Sequence, residues 1–408
     1  MNLFAVLAAV LALACAGAVS AEPFYKAELI FPPEHFHDHA SCIVECPDGE
    51  LLACWYRGVG PEKGDDVAIM GARKPRGAAA WGKPFIMADT PGYPDDNPCM
   101  LIDPRGRLWL FWPTLLANQW ETALMKYRIS ADYQGRRGPP VWQWQDVLHV
   151  TPVNFEAQIE AGIAHYLHQY PELVKRIGPE WDKVLAEARE RAADKLSQRL
   201  GWMTRAHPVL VPLPTAGGQA TTRLIVPLYT DTFSVSIMAM TDDWGKTWIT
   251  SQALVGGGNI QPSVVRRNDG TLVAMMRENG LQQRIRISES RDNGLTWGPV
   301  ENMELPNPGS GLEVIRLSSG RWALVYNDTE QGRHSLAVSV SDDEGKSWKW
   351  TRHLEKSERQ RGSYSYPSIV QARDGTLQAT YSWSEGGSGD SIKHAAFNEE
   401  WVMAGDKG

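Results

Sequence analysis

Thr241-Asp242-Asp243-Trp244-Gly245-Lys246-Thr247-Trp248 decides the fold, because the chain writes it again as Ser290-Arg291-Asp292-Asn293-Gly294-Leu295-Thr296-Trp297 and as Ser341-Asp342-Asp343-Glu344-Gly345-Lys346-Ser347-Trp348. All three obey Ser/Thr-x-Asp-x-Gly-x-Ser/Thr-Trp and start at 241, 290 and 341, intervals of 49 and 51 residues. Looser remnants stand at Ser130-Ala131-Asp132 and ahead of Trp81. Repetition at such a period marks a propeller or a solenoid. The chemistry of the box is local: the Asp carboxylate accepts nearby backbone N–H groups, the Gly takes a left-handed turn position, and the Trp plugs the gap between neighbouring units.

A second signal runs in step with the first. Asp48-Gly49, Arg105-Gly106, Asp269-Gly270, Ser319-Gly320 and Asp374-Gly375 each separate two short apolar strands, as with Ser263-Val264-Val265 and Leu272-Val273-Ala274. Such dipeptides close tight hairpins. Each unit therefore reads as four strands, and the units fall near 25–90, 95–150, 206–255, 258–305, 308–355 and 363–405. The expected architecture is all-β, a six-bladed β-propeller whose N-terminal strand closes the ring. Counts of 37 Gly and 17 Trp in 408 residues agree with many turns and a repeated structural Trp.

One segment, about 153–201, departs from the pattern and reads as a helical hairpin insertion. Gly178-Pro179 precedes apolar positions Trp181, Val184, Leu185, Ala188 and Ala192 at the helical period, and Asn154 is placed to cap an earlier helix running to Leu167. His165 and His168 in this insert read as solvent-facing.

Residues 1–21 read as a signal peptide: an apolar run from Leu3 to Ala18, then Val19-Ser20-Ala21 ahead of Glu22. An exported chain with cleavage near Ala21 is expected, the propeller occupying 22–408. No other apolar stretch reaches the ~18 residues of a membrane span. A formal charge of −7 with no basic run argues against nucleic acid as a partner. Cys42, Cys46, Cys54 and Cys99 remain after cleavage; they allow three disulfide pairings or serve as small buried hydrophobes, and lack zinc spacing. His35, His37 and His39 alternate, which on a strand would align three imidazoles for a metal. No carboxylate or Cys cluster joins them in sequence, so no metal and no other cofactor is expected. Nothing in the sequence speaks to oligomeric state.

The three boxes resemble the Asp-box repeats of the sialidase (neuraminidase) superfamily, and the likeness covers the chain apart from its leader and the helical insert. The box is specific for fold and weak for function, so activity has to be argued from other positions. Members bind a substrate carboxylate with three arginines and use a Tyr nucleophile, a Glu that activates it and an acid/base Asp. By spacing, the resemblance implies that Arg277 is the second arginine, Arg333 the third and Tyr366 the nucleophile. Gln261 stands where the Glu is expected, and His39 where the first arginine is expected. A neutral amide cannot take the phenol proton, and Glu313 is a weak substitute. The acid/base loop corresponds to Arg57 through Asp66 and offers Glu62, Asp65 and Asp66.

Polar residues preceding Pro recur at strand starts, in Asn97-Pro98, His207-Pro208, Gln261-Pro262, Asn307-Pro308 and Tyr366-Pro367, and ring closure would bring one from each blade toward the axis. Arg205, Tyr229 and Asp231 complete the lining, and Trp55, Trp112 and Trp383 are candidates to stack on a sugar. Two converging guanidiniums make a carboxylate receptor, so the expected partner is an acidic glycan, sialic-acid-like or uronate. Three outcomes are open. The first is hydrolysis by an exo-glycosidase using Tyr366 or a water. The second is β-elimination from a uronate, with His39 or His207 as base and Tyr366 protonating the leaving oxygen. The third is a propeller that binds carbohydrate without catalysis.

Overall fold

The computed structural model describes residues 21–214, 221–357, 361–387 and 389–406, so the expected leader lies outside the described residues. Six antiparallel sheets follow one another along the chain, over 37–88, 99–147, 202–250, 259–306, 313–356 and 362–397. They are the six blades, numbered here in that order. The third carries a short fifth strand, because both Trp202–Met203 and Val209–Leu213 pair with Thr221–Thr230. The expected first unit, 25–90, is divided: Tyr25–Leu29 pairs with Asp390–Phe397 of the last blade, and blade 1 begins at His37. This pairing joins the two ends of the chain and covers an edge that would otherwise stay open.

Because each blade is an antiparallel meander, its first-to-second hairpin and third-to-fourth turn lie at one mouth of the ring. Its second-to-third hairpin and the connection to the next blade lie at the other. The Asp boxes are third-to-fourth turns and so sit at the first mouth. Asp243 accepts the N–H of Lys246 (3.1 Å) and Thr247 (2.9 Å) and the Thr247 hydroxyl (2.7 Å), while Thr241 Oγ1 accepts the Gly245 N–H at 2.8 Å. Trp244 and Gly245 both have positive φ, 64° and 89°, which is where the box glycine is needed. Trp248 then lies edge-on to Phe111 and Tyr127 of blade 2, centroids 6.4 and 5.9 Å away. Trp297 and Trp348 pack in the same way into clusters shared with blades 3 and 4.

The insertion consists of α1 (Phe155–Gln169), α2 (Pro171–Ile177), α3 (Glu180–Ala193) and α4 (Lys195–Arg199), so the hairpin of α1 and α3 is elaborated by two short helices. Asn154 stands before α1 but does not cap it with its side chain; its φ is 50°, and its carbonyl accepts the Gln158 N–H. α1 is anchored by Phe155, 4.9 Å from Phe233 and 6.1 Å from Trp202. Gly162 lies so near blade 3 that an added Cβ would meet Val255 Cγ1 at 2.2 Å. The insert joins blade 2 to blade 3 and therefore stands at the mouth opposite the Asp boxes. The four cysteines are free and buried, as small core residues. Among the described residues no helix is long and apolar enough to cross a membrane.

Candidate active site

Three innermost strands carry the same irregularity. Asn97, Gln261 and Tyr366, each preceding Pro, have φ of 38°, 54° and 53°. The pairing register breaks around two of them, between Ile260 and Ser263 and between Ser365 and Ser368. The right-handed helical region is disfavoured for a residue before Pro, and the break in register here turns the side chain to the channel. The three side chains meet at two phenols. Gln261 Nε2 donates to Tyr366 Oη (3.2 Å) and lies 3.3 Å from Tyr229 Oη, to which Asn97 Nδ2 also donates at 3.3 Å. His207 and Asn307 also precede Pro without taking this conformation.

Tyr366 is the centre of the group. Arg277 Nη1 donates to its oxygen at 2.6 Å, and the guanidinium carbons of Arg205, Arg333 and Arg277 lie 5.1, 5.2 and 5.9 Å from its ring centroid. His39 packs on the ring with centroids 4.2 Å apart. Burial works to raise the phenol's pKa, but Arg277, Arg333 and the Gln261 amide outweigh it and hold the group below its ordinary value of 10.0. Burial, with help from Arg333 and Arg205, pushes His39 well below 6.5 and keeps its imidazole neutral. Among the described residues neither Arg277 nor Arg333 forms an ion pair with a carboxylate. Arg277 bonds Tyr366 and touches Asn279 at 3.5 Å, and Arg333 donates to the Gly309 carbonyl at 3.0 Å.

The second-to-third hairpin of blade 1 forms one wall. Glu62 accepts the Tyr56 hydroxyl and lies 4.0 Å from His37 Nε2, whose Nδ1 is 3.4 Å from Asp390. Hydrogen bonds to Asp390 and Glu62 lift His37 to about 9 against the effect of burial. For Glu62, burial is outweighed by the bonds from His37 and Tyr56, and the carboxyl is held near about 2. At neutral pH the proton of this pair therefore resides on His37. Across the mouth Asp96 is fully buried, neither carboxyl oxygen has a protein partner, and burial with the nearby Glu62 and Asp95 pushes its pKa well above 3.8. Asp231 is raised by burial, with Arg277 opposing. Gln261 Oε1, Asn97 Oδ1 and Arg277 Nε are also buried without protein partners. Such atoms are rare in a folded core and concentrate where a ligand docks.

Several sequence candidates are employed elsewhere. Asp65 accepts the Asn118 amide at 2.6 Å and Asp66 the Val59 N–H, so both shape the exposed loop, which leaves Glu62 as its inward acid. Asn307 is consumed locally, Oδ1 accepting N–H groups of Gly309 and Ser310 and Nδ2 donating to the Ser310 carbonyl. Arg205 touches the Tyr366 ring, yet it is buried and donates to the Ser41 and Pro367 carbonyls, bracing blades 1 and 6. His207 lies deeper in the channel. Its Nδ1 is 2.8 Å from Glu313 and its Nε2 2.8 Å from the Ile43 carbonyl, both acceptors, so the ring is an imidazolium. Glu313 also accepts the Ile369 N–H at 2.8 Å. This pair ties blades 1, 3, 5 and 6 together, and neither member reaches Tyr366. Trp55 and Trp112 are core residues. His35 precedes the strand that starts at His37, so only His37 and His39 alternate along it, their ring centroids 5.5 Å apart; among the described residues no group of three metal-ligating side chains converges. Asp96, Tyr56 and His37 are site residues that the Pro-based pattern does not reach.

Known proteins share this fold. The sequence profile of the BNR repeat-like domain matches residues 49–162 and 202–379, omitting most of the insert. An anhydrosialidase of Macrobdella decora is 26% identical over 204 residues, 43% of this chain and 26% of its own length; the match thus spans about a quarter of that relative. Among solved structures, the intramolecular trans-sialidase of Ruminococcus gnavus in complex with oseltamivir carboxylate superposes with a TM-score of 0.65 at 13% identity, covering 90% of this chain and 95% of that one. A leech intramolecular trans-sialidase with bound 2,7-anhydro-Neu5Ac gives 0.66 at 13% identity, covering 93% and 71%. At these identities the structural likeness establishes the fold.

Proposed function

This chain belongs to the BNR repeat-like domain family and is a divergent member of the sialidase superfamily, and from that premise we propose that it is a glycoside hydrolase acting at an acidic sugar, sialic-acid-like or uronate. The observation that carries the reading is the meeting of Arg277 and Arg333, both free of carboxylate partners among the described residues, over the ring of a phenol whose pKa is lowered. Two guanidiniums take a carboxylate by paired, charge-assisted hydrogen bonds. That fixes the sugar's anomeric carbon relative to Tyr366.

Tyr366 needs no carboxylate base in this arrangement. Arg277, Arg333 and the Gln261 N–H favour its phenolate; the phenol gives its proton to water, and the phenolate attacks the anomeric carbon as the bond to the leaving oxygen breaks. The leaving oxygen takes its proton from the His37–Glu62 pair, both of them partly exposed at the mouth. Water then attacks the same carbon, the phenolate departs, and the water's proton returns to the pair. The sum is one glycosidic bond hydrolysed with retention. The reading includes export of the mature chain, motivated by the apolar run Leu3 to Ala18.

A second reading rests on one observation: His39 is neutral and packed at a tilt against Tyr366, ring centroids 4.2 Å apart, as a base for β-elimination from a uronate would be. A panel of sialosides and uronate oligosaccharides, read for reducing ends and for ultraviolet-absorbing unsaturated products, separates the two. Hydrolysis releases reducing sugar alone. Unsaturated product would replace the first reading with the second, and binding without either product would overturn both.

A further inference from the structure

The channel holds a second group of reactive side chains, toward the mouth that carries the Asp boxes. A cavity of 500 Å³ enters there, lined by Leu101, His207, Ser263, Glu313 and Ile369 among others. Cys42 lies one side chain behind this wall. Its Sγ is 3.3 Å from His207 Nε2 and accepts the Met100 N–H at 3.2 Å, while His207 Nδ1 is 2.8 Å from Glu313. Carboxylate, imidazole and thiol thus stand in one row, drawn from blades 5, 3 and 1, in the order that orients and activates a sulfur nucleophile.

The charges around the row favour a thiolate. Arg205 is buried close by and donates only to the Ser41 and Pro367 carbonyls, so with the His207 imidazolium it makes two cations against the one carboxylate of Glu313. Burial works to raise the Cys42 thiol, but the Cys54 side chain and His207 outweigh it and hold Cys42 well below its ordinary value of 9.0. Burial and the neighbouring Cys42 push Cys54 the other way, well above 9.0, and keep its proton on. The two sulfurs are within bridging reach. Cys42 and Cys54 are direct partners across the first two strands of blade 1 and share one buried cluster. Cα atoms so paired stand about 4.5–5.5 Å apart, inside the range of about 4.4–6.8 Å that a disulfide spans.

We propose that Cys42 and Cys54 form a peroxide-sensitive dithiol, Cys42 attacking and Cys54 resolving, and that hydrogen peroxide or a small hydroperoxide entering from the Asp-box mouth closes a disulfide between them. The Cys42 sulfur attacks one peroxide oxygen. An S–O bond forms, the O–O bond breaks, and the hydroxide released takes the His207 imidazolium proton and leaves as water. The Cys54 sulfur then attacks Cys42: the S–S bond forms, the S–O bond breaks, and the Cys54 proton departs with the hydroxyl as a second water. Each sulfur is oxidised by one electron and the peroxide is reduced by two. His207 ends neutral, so closing the bridge also discharges the ion pair that ties blades 1, 3, 5 and 6. A bridge confined by a strand ladder is of the kind that reductants reopen. None of this depends on which sugar the opposite mouth takes.

The test treats the folded protein with hydrogen peroxide at neutral pH while its circular dichroism is followed. The sample is then alkylated, digested after glutamate and mapped by mass spectrometry without reductant; cleavage at Glu45 and Glu50 places Cys42, Cys46 and Cys54 on separate peptides. The expected product is a Cys42–Cys54 bridge that dithiothreitol reopens, formed at least about tenfold faster than Cys46 or Cys99 is oxidised, since those buried thiols keep their protons. Cys54→Ser is expected to stop at a Cys42 sulfenic acid that dimedone traps, and Cys42→Ser to give neither bridge nor adduct. Melting temperatures check that both variants fold, and the wild-type map decides the matter alone where one does not. The absence of a bridge, a bridge between any other pair, oxidation of Cys99 as fast as that of Cys42, or bridging only after the circular dichroism has collapsed each overturns the proposal.

Discussion

Arg277 Nη1 donates to the phenol oxygen of Tyr366 across 2.6 Å, between residues 89 positions apart in the chain. The contact joins blade 4 to blade 6 through the channel. With the Gln261 amide and the Arg277 guanidinium both donating to one oxygen, the phenol is held below its ordinary pKa.

Replacing Gln261 with Glu inverts that balance. A donor becomes a negative acceptor beside the phenol, so the Tyr366 titration midpoint is expected to move up in Gln261→Glu relative to wild type. Ultraviolet difference titration of the phenol reads it, and an unchanged or lower midpoint would contradict the electrostatic account.

Tyr366→Phe keeps the ring that packs against His39 and loses only the oxygen. Turnover of an acidic glycoside is expected to fall by about 10³-fold or more, with sugar binding retained and thermal stability little altered. Wild-type turnover in this variant would remove Tyr366 from the chemistry.

The His37–Glu62 pair makes a pH-dependent contribution to stability. His37 is lifted from 6.5 to about 9 in the folded chain. A raised pKa contributes fully below the unfolded value and is lost as pH climbs through the folded one. The melting-temperature deficit of His37→Gln should therefore be largest near pH 6 and fade above pH about 9. A deficit independent of pH over that window would mean that His37 is not protonated there.

Glu313→Gln breaks a buried pair and leaves the His207 imidazolium without its carboxylate, a change that costs about 3–5 kcal/mol in comparable sites. Denaturant unfolding measures it, with the folded fraction keeping its ligand affinity. Loss of affinity at unchanged stability would return His207 and Glu313 to the site.

The ring was readable in the sequence because boxes and hairpins are local: each needs only a few residues of fixed type at fixed offsets, as Asp243, Gly245 and Thr247 illustrate. Arg277, Arg333 and Tyr366 were reachable through the spacing that the family resemblance implies, counted from those hairpins and boxes, although Arg333 lies just before its strand and Tyr366 sits at a break in register. What Asn97, Gln261 and Tyr366 share with His207 and Asn307 is a following Pro; what divides them is a positive φ, which the dipeptide does not encode. Glu62, Asp65 and Asp66 differ by which one turns back onto Tyr56 of its own hairpin and toward His37 of the neighbouring strand. Asp96 sits beside Asn97 in an acidic pair and becomes visible only once its burial is known. The insert's periodicity gave its helices, whereas its seat on blade 3 depends on how α1 meets Val255 and Gly257, contacts made nearly a hundred residues away.

The most direct measurement is capture of the reaction halfway. An acidic sugar fluoride carrying a second fluorine beside the anomeric carbon slows the departure of the enzyme nucleophile, and peptide mapping by mass spectrometry locates any adduct. The account predicts one equivalent of glycosyl adduct on the peptide containing Tyr366, absent in Tyr366→Phe and much reduced in Arg277→Ala. Adduct on another residue, or complete turnover of natural substrate with no adduct formed, would contradict it.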